Sequence, residues 1–399
     1  MTGTQLLVLV TIALFLAGFI ELLVHRRNLG RMRIRVHVNG TRGKSSVTRL
    51  VASGLREAGI VTCAKTTGTL ARMILPDGQE LPIFRPAGPN IIEQKRIIAT
   101  AAAYRAEALI VECMALQPEL QALCELKMIR ATHGVITNAR PDHLDVMGPD
   151  DRHVALALSG MTPVNGRLYT AEQDQLEVLR EAAEDRGTEL IAIGDDDVAS
   201  VTEEMLAGFS YTEHPDNVAL ALRVLVDLGV EREVAIRGMW NTPPDPGALT
   251  EHQLDFFGRR IVFLNGFAAN DPVSTQQLWD TATAEHPDVE RRIAIFNCRA
   301  DRPDRSMQLG SEFPLWSSAD FVVLMGTGTY LFARAAAKAG YDASRLVVVE
   351  DLRVEEIFER LVSLVESSAL IMGMGNIGGQ GLDVVRYFKN RSVLEESAS

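Results

Sequence analysis

Cysteine is scarce in this chain. The four present, Cys63, Cys113, Cys124 and Cys298, show no C-x-x-C spacing and no histidine at zinc-ligand spacing. A disulfide framework and a structural zinc site are therefore not expected, and the thiols read as buried or incidental. An excess of positive charge is also missing: the net charge is -12. The chain as a whole will not seek nucleic acid phosphates. Internal repeats and low-complexity stretches are absent. No basic residue precedes the first apolar run and no small-residue cleavage site follows it, which excludes a signal peptide.

What is present is an ordinary globular composition with one exception. Hydrophobic residues make up 47% and charged residues 23% of 399 residues, enough for two domains with separate cores. The exception is Leu6 to Val24, LLVLVTIALFLAGFIELLV, broken only by Glu21 near its end. Its nineteen residues span roughly 28 Å as a helix, close to a bilayer core. Arg26, Arg27, Arg31, Arg33 and Arg35 follow at once. The positive-inside rule then predicts a single-pass anchor over residues 1–25 with the body of the protein cytoplasmic.

Beyond the anchor, Arg33 to Asn39 alternates basic and aliphatic residues as a strand does, and Ser46 to Ala58 has helical periodicity. Between them lies a glycine loop. Short apolar strands follow at Ala108–Glu112 and Gly134–Asn138, with a helical stretch at Ile91–Arg105. The alternation predicts an α/β fold with a mainly parallel sheet. Asn241 to Gly247, NTPPDPG, is the linker candidate. After it the alternation resumes. The expected organisation is an anchor (1–25), a central ATP-binding domain (26–245) and a smaller Rossmann-like α/β domain (246–399).

The loop Asn39-Gly40-Thr41-Arg42-Gly43-Lys44-Ser45-Ser46 approximates a Walker motif with Val38 at its first glycine position. Gly40 and Gly43 let backbone N–H groups turn toward phosphate oxygens. Lys44 can reach the β- and γ-phosphates, and Ser45 can offer its hydroxyl to Mg²⁺. Strand C-terminal ends converge on the ligand crevice of an open α/β sheet. Glu112 and the Asn138, Asp142, His143 and Asp145 cluster are therefore expected near Lys44, as oxygen and imidazole donors around a hard cation. His214 and Asn217 open a later apolar helix.

This ordered set resembles the Mur ligase superfamily, which includes peptidoglycan amino-acid ligases and folylpolyglutamate synthases. The segments VNGTRGKSSVTRL, TTGT (Thr66 to Thr69), TNARPDHLDVMGP, NCRADRPDRS and GMGNIGGQG narrow the resemblance to CapB-type ligase subunits of poly-γ-glutamate synthases. The resemblance implies a Mg²⁺- and ATP-dependent amide ligase. It would add glutamate to a poly-γ-glutamate acceptor through an acyl phosphate. It implies Lys44 on phosphate, with Ser45, Thr67, Glu112 and His143 serving the metal. Asn217 would contact the adenine, and Arg299 and Asp301 would help hold the amino acid. It also implies a multi-pass membrane subunit as partner and allows a homo-oligomer.

The chain departs from peptidoglycan ligases in three places. About 35 residues precede the loop, leaving no room for a UDP-sugar domain. Ala157 stands fifteen residues after Asp142, where those enzymes carry a carbamoylated lysine. Asn265 to Asn270 replaces a D-S-K-A-T-N segment without its acid or lysine. The rival readings are a folylpolyglutamate-type ligase, a P-loop ATPase or kinase without ligation, and a membrane scaffold regulated by nucleotide. Gly373 to Gly378 matches G-x-G-x-x-G, but only 21 residues follow. That is too few to complete a dinucleotide-binding unit, so a glycine turn near the domain interface is expected.

Overall fold

The computed structural model describes residues 2–68, 71–85, 88–244, 249–267, 269 and 272–392, without the side chain of Asp145. Thr69, Asn270 and residues 245–247 of the expected linker lie outside the described residues. The chain forms two compact units, Met1–Pro243 and Pro244–Ser399.

The first unit holds eight strands: β1 Ile34–Asn39, β2 Thr62–Thr66, β3 Arg72–Ile74, β4 Glu80–Pro82, β5 Ala108–Glu112, β6 His133–Ile136, β7 Arg167–Thr170 and β8 Glu189–Ala192. Their order is β4-β3-β2-β5-β1-β6-β7-β8. The six strands from β2 to β8 in that order run parallel, and β3 and β4 add an antiparallel edge. β1 is central. Its alternate residues divide between two cores: Val36 and Val38 face one, with Val47, Leu50, Val51 and Leu55 of helix α2 (Lys44–Glu57) and the helix Pro215–Asp227. On the opposite face the side chains of His37 and Asn39 meet the segment Pro118–Ile129, which ends in a π-helical turn.

The N-terminal helix α1, Gly3–Arg31, is long and apolar enough to cross a membrane. It continues past the expected boundary at residue 25, and its last turns belong to the soluble core. Glu21 accepts a hydrogen bond of 2.7 Å from Lys95 on helix α3 (Glu93–Ala103). The His25 ring lies 2.8 Å from the Met128 carbonyl. Leu29 is buried with Met32, Ile97 and Met128. His25 and Leu29 stand four apart, so both fall on the face turned to the core.

The second unit is a six-stranded sheet: β9 Thr250–Phe256, β10 Arg259–Asn265, β11 Arg291–Cys298, β12 Phe321–Gly326, β13 Leu346–Val348 and β14 Ser368–Met374. The order is β13-β12-β11-β14-β10-β9, parallel except for the β9–β10 hairpin. The chain steps outward from β11 to β13, then returns to place β14 beside β11. The helix after β11 packs on one face and the helix after β14 on the other. That reversal makes the β11–β14 edge the switch point where such sheets bind ligands.

Candidate active site

β1 brings the glycine loop to the edge where β5 and β6 also end. Val38 pairs with Glu112 of β5, and Asn39 with Ile136 of β6. The loop turns at Gly40, with φ 131°, and at Gly43, with φ 78°. Both are backbone conformations that a side chain would strain. Space forbids a side chain too. A Cβ on Gly40 would lie 2.0 Å from Thr137 Oγ1, and one on Gly43 2.3 Å from Asn217 Oδ1.

The loop is tied down by the residues after β6. The Thr41 amide donates to the Asn138 carbonyl at 3.1 Å. Thr41 Oγ1 and the Arg42 amide both donate to Asn138 Oδ1, at 2.6 and 3.0 Å. Thr137 Oγ1 donates to the Arg42 carbonyl at 2.5 Å. Asn39 is held from below, its amide donating to Gln121 Oε1 at 2.7 Å. Its side chain is thus buried in the scaffold while its backbone starts the loop.

Lys44 opens α2 and folds back over the loop. Its Nζ donates to the carbonyls of Gly40 and Thr41, at 2.6 and 3.2 Å. Lost hydration lowers its pKa, and the charges of Glu112 and Asp142 oppose the shift. Ser45 and Ser46 follow, half-buried in the first turn of α2. Ser45 Oγ donates to Glu112 Oε2 at 2.9 Å, and the Thr67 amide donates to the same oxygen at 2.7 Å. Glu112 is buried. The first turn of α2 and the ends of β5 and β2 therefore meet on one carboxylate.

The Asp142–His143 cluster reaches the loop through Arg42, whose Nη1 lies 3.6 Å from Asp142 Oδ2. His143 has φ 50° and caps the short helix Leu144–Met147. Its Nε2 is 3.9 Å from Asp142 Oδ1. Asn217 sits in the first turn of the helix Pro215–Asp227, against Gly43, and donates to Glu213 Oε1 at 2.9 Å. Lys44, Ser45, Thr67, Glu112 and Asn217 are thus brought together around the loop, with Asp142 joined to it by Arg42.

Among the described residues, no three His, Cys, Asp or Glu side chains gather into a metal cage. One carboxylate and one hydroxyl at a phosphate loop instead fit a hard cation that keeps its waters and leans on nucleotide phosphates.

Arg299 and Asp301 belong to the second unit, at the end of β11. The guanidinium pairs with both carboxylate oxygens, at 2.8 and 2.6 Å. The pairing raises the arginine's pKa and lowers the aspartate's. The Gly373–Gly378 segment ends β14 and then turns from Gly375 onward, where Asn297 pins it to β11. The Asn297 amide donates to the carbonyls of Asn376 and Gly378, at 2.5 and 2.8 Å.

Comparison with known proteins decides the family. Residues 38–241 match the Mur ligase middle domain, and residues 251–391 match the poly-gamma-glutamate synthase CapB C-terminal domain. The chain is 40% identical over 390 residues to the capsule biosynthesis protein CapB of Bacillus anthracis, covering 97% of this chain and 83% of that one. It is 38% identical over 376 residues to the PGA synthase CapB of Bacillus subtilis (strain 168), covering 94% and 95%.

The chain belongs to the CapB family of Mur ligases.

Membership makes it an ATP-dependent amide ligase. Solved structures share the fold at low identity. E. coli FolC in complex with DHPP and ADP aligns with TM-score 0.64 and 16% identity, over 93% of each chain. The Mycobacterium tuberculosis folylpolyglutamate synthase complexed with ADP aligns at 0.65 and 16%, over 94% and 95%. The Yersinia pestis bifunctional folylpolyglutamate synthase/dihydrofolate synthase with AMPPNP and Mn aligns at 0.65 and 15%, over 92% and 91%.

Two contributors to this CapB-family site escape sequence reading. Thr137 fills the space under Gly40, and Glu213 orients Asn217. Each directly precedes a residue the motifs single out, Asn138 and His214, and that adjacency was the available signal.

Proposed function

We propose that the chain adds glutamate to a poly-γ-glutamate acceptor through an acyl phosphate, using Mg²⁺ and ATP. The carrying observation is the Glu112 carboxylate, bonded to Ser45 Oγ at 2.9 Å and to the Thr67 amide at 2.7 Å beside the glycine loop. In this reading the loop amides and Lys44 hold the β- and γ-phosphates, with the N-terminal end of α2 adding its dipole. Lys44 exchanges its bonds to the Gly40 and Thr41 carbonyls for phosphate oxygens. Ser45, Glu112, Thr67 and His143 are the residues that would hold Mg²⁺. The ion would supply charge neutralisation at the phosphates. Asn217 contacts the adenine.

An acceptor carboxylate oxygen attacks the γ-phosphorus and ADP leaves. The amine of glutamate, having lost its proton, attacks the acyl carbon and phosphate leaves. Arg299 and Asp301 help hold the incoming amino acid. Support for the substrate comes from the poly-gamma-glutamate name of the matched C-terminal domain and from the PGA synthase relative. The ADP and AMPPNP complexes of fold neighbours support the nucleotide. The single apolar helix supports a membrane anchor with the catalytic units on the cytoplasmic side.

The test supplies ATP, Mg²⁺ and glutamate to membranes holding the protein together with its membrane partner subunit. Glutamate-dependent ADP release with γ-linked polymer is expected. ADP release supported only by a different amino acid or acceptor would overturn the substrate.

A further inference from the structure

The junction between α1 and the first unit contains a feature that ligation does not use. A cavity of about 820 Å³ opens there, lined by Arg26, Leu29, Arg35, Arg130 and Val164 among others. A second cavity of about 230 Å³ shares Arg26, Leu29 and Arg130 with it and adds Leu22 and Lys127. The lining therefore combines cationic and apolar side chains.

Its depth follows from α1. The Glu21 carboxylate is bound to Lys95 of the soluble unit, so the lipid-embedded stretch ends near Ile20. Leu6 to Ile20 rises only about 22 Å, short of a typical core of about 30 Å. Such mismatch draws the flanking residues toward the interface or thins the bilayer. Leu22 follows Ile20 by about 3 Å along the axis and Arg26 by about 9 Å. The cavities thus open at headgroup depth.

Among the described residues, no carboxylate forms an ion pair with Arg26, Lys127 or Arg130. Glu125, the acid in the cavity wall, has one oxygen on His37 Nδ1 at 2.9 Å and the other on the Ala131 amide at 2.7 Å. Arg35 is the structural member of the group. Its guanidinium donates to the carbonyls of Met32 and Leu29 at the end of α1, at 2.6 and 3.4 Å, and to the backbone carbonyl of Arg130 at 2.9 Å. Arg26, Lys127 and Arg130 are exposed.

We propose that this junction is a binding site for the phosphate headgroup of an anionic phospholipid. Arg26, Lys127 and Arg130 contact the phosphate, and Leu22, Leu29 and Val164 take the glycerol and upper acyl carbons. The site fixes the depth and tilt of the first unit against the membrane through the rigid end of α1.

The test is native mass spectrometry of the full-length protein in detergent, titrated with dioctanoyl phosphatidylglycerol, dioctanoyl phosphatidylcholine or inorganic phosphate. Retention of phosphatidylglycerol over phosphatidylcholine by roughly tenfold or more is expected. The triple variant Arg26→Gln, Lys127→Gln, Arg130→Gln should lose that preference with its thermal midpoint kept. The double variant Arg27→Gln, Arg31→Gln, which removes neighbouring charges outside the cavities, should keep it. Equal retention of both lipids would overturn the proposal. So would a preference that survives the triple variant or vanishes in the double one. Displacement of the lipid by equimolar inorganic phosphate would make it a soluble-anion site and overturn it too. None of these outcomes depends on ligase activity.

Discussion

Lys44 separates binding from chemistry at the scale of single residues. Lys44→Ala should leave the fold intact, because the lysine's bonds are to loop carbonyls that water can satisfy. It should cut ADP release by roughly a hundredfold or more, read by steady-state kinetics on protein with unchanged circular dichroism. Gly43→Ala acts differently. It strains a positive φ and drives a methyl into Asn217. A loss of about 1–3 kcal/mol in urea unfolding is expected, together with weaker nucleotide binding by calorimetry. His37 carries a pH dependence. Burial pushes its imidazole down, but the neighbouring Cys113 and the Glu125 carboxylate, hydrogen-bonded at 2.9 Å, outweigh that and bring it up to about 9. A raised pKa stabilises the fold fully below the unfolded value near 6.5, and the contribution fades as pH rises through 9. Thermal melts should therefore show a decline on the order of 3 kcal/mol across that window, absent in His37→Gln. The loop itself is legible in sequence because its demands are local: two glycines, a lysine and a hydroxyl in series between a strand and a helix. Thr137 under Gly40 and Gln121 under Asn39 are not legible. Those contacts join positions roughly eighty to a hundred residues apart, so no local pattern states which residues meet, even though Thr137 adjoins the motif residue Asn138.

The elements show the same division. β5 and β6 announce themselves as apolar runs, and β1 as an alternation of basic and aliphatic residues. β3 and β4 have three residues each, too few to carry a periodicity, and β7 and β8 have four. The reach of α1 is the instructive case. Hydropathy alone marks a segment ending by residue 25, because hydropathy registers apolar content and not docking. His25 and Leu29 extend the helix into the first unit's core. A truncation lacking residues 2–20 should unfold like the full-length chain. One lacking residues 2–31 should be weaker by roughly 3–4 kcal/mol, from lost Leu29 burial and the His25–Met128 bond. Urea midpoints of the two truncations check this.

In the molecule as a whole, the residues proposed to hold the nucleotide lie in the first unit and the Arg299–Asp301 pair in the second. If the second unit holds the amino acid, Arg299→Ala should raise the KM for glutamate about tenfold or more and leave the Kd for ATP unchanged. The two-unit α/β plan is legible from strand alternation on either side of the Pro/Gly-rich segment. The switch point between β11 and β14 is not, because strand order depends on which neighbours pair. The central claim is that this CapB-family chain spends ATP to lengthen a γ-linked glutamate polymer. The most direct measurement follows ADP release and labelled glutamate incorporation together, in membranes containing the chain and any membrane partner proposed for it. About one ADP per γ-amide bond formed is expected, since each acyl phosphate consumes one ATP, with both signals abolished by Lys44→Ala. ADP release without labelled polymer, or incorporation undiminished in Lys44→Ala, would contradict it.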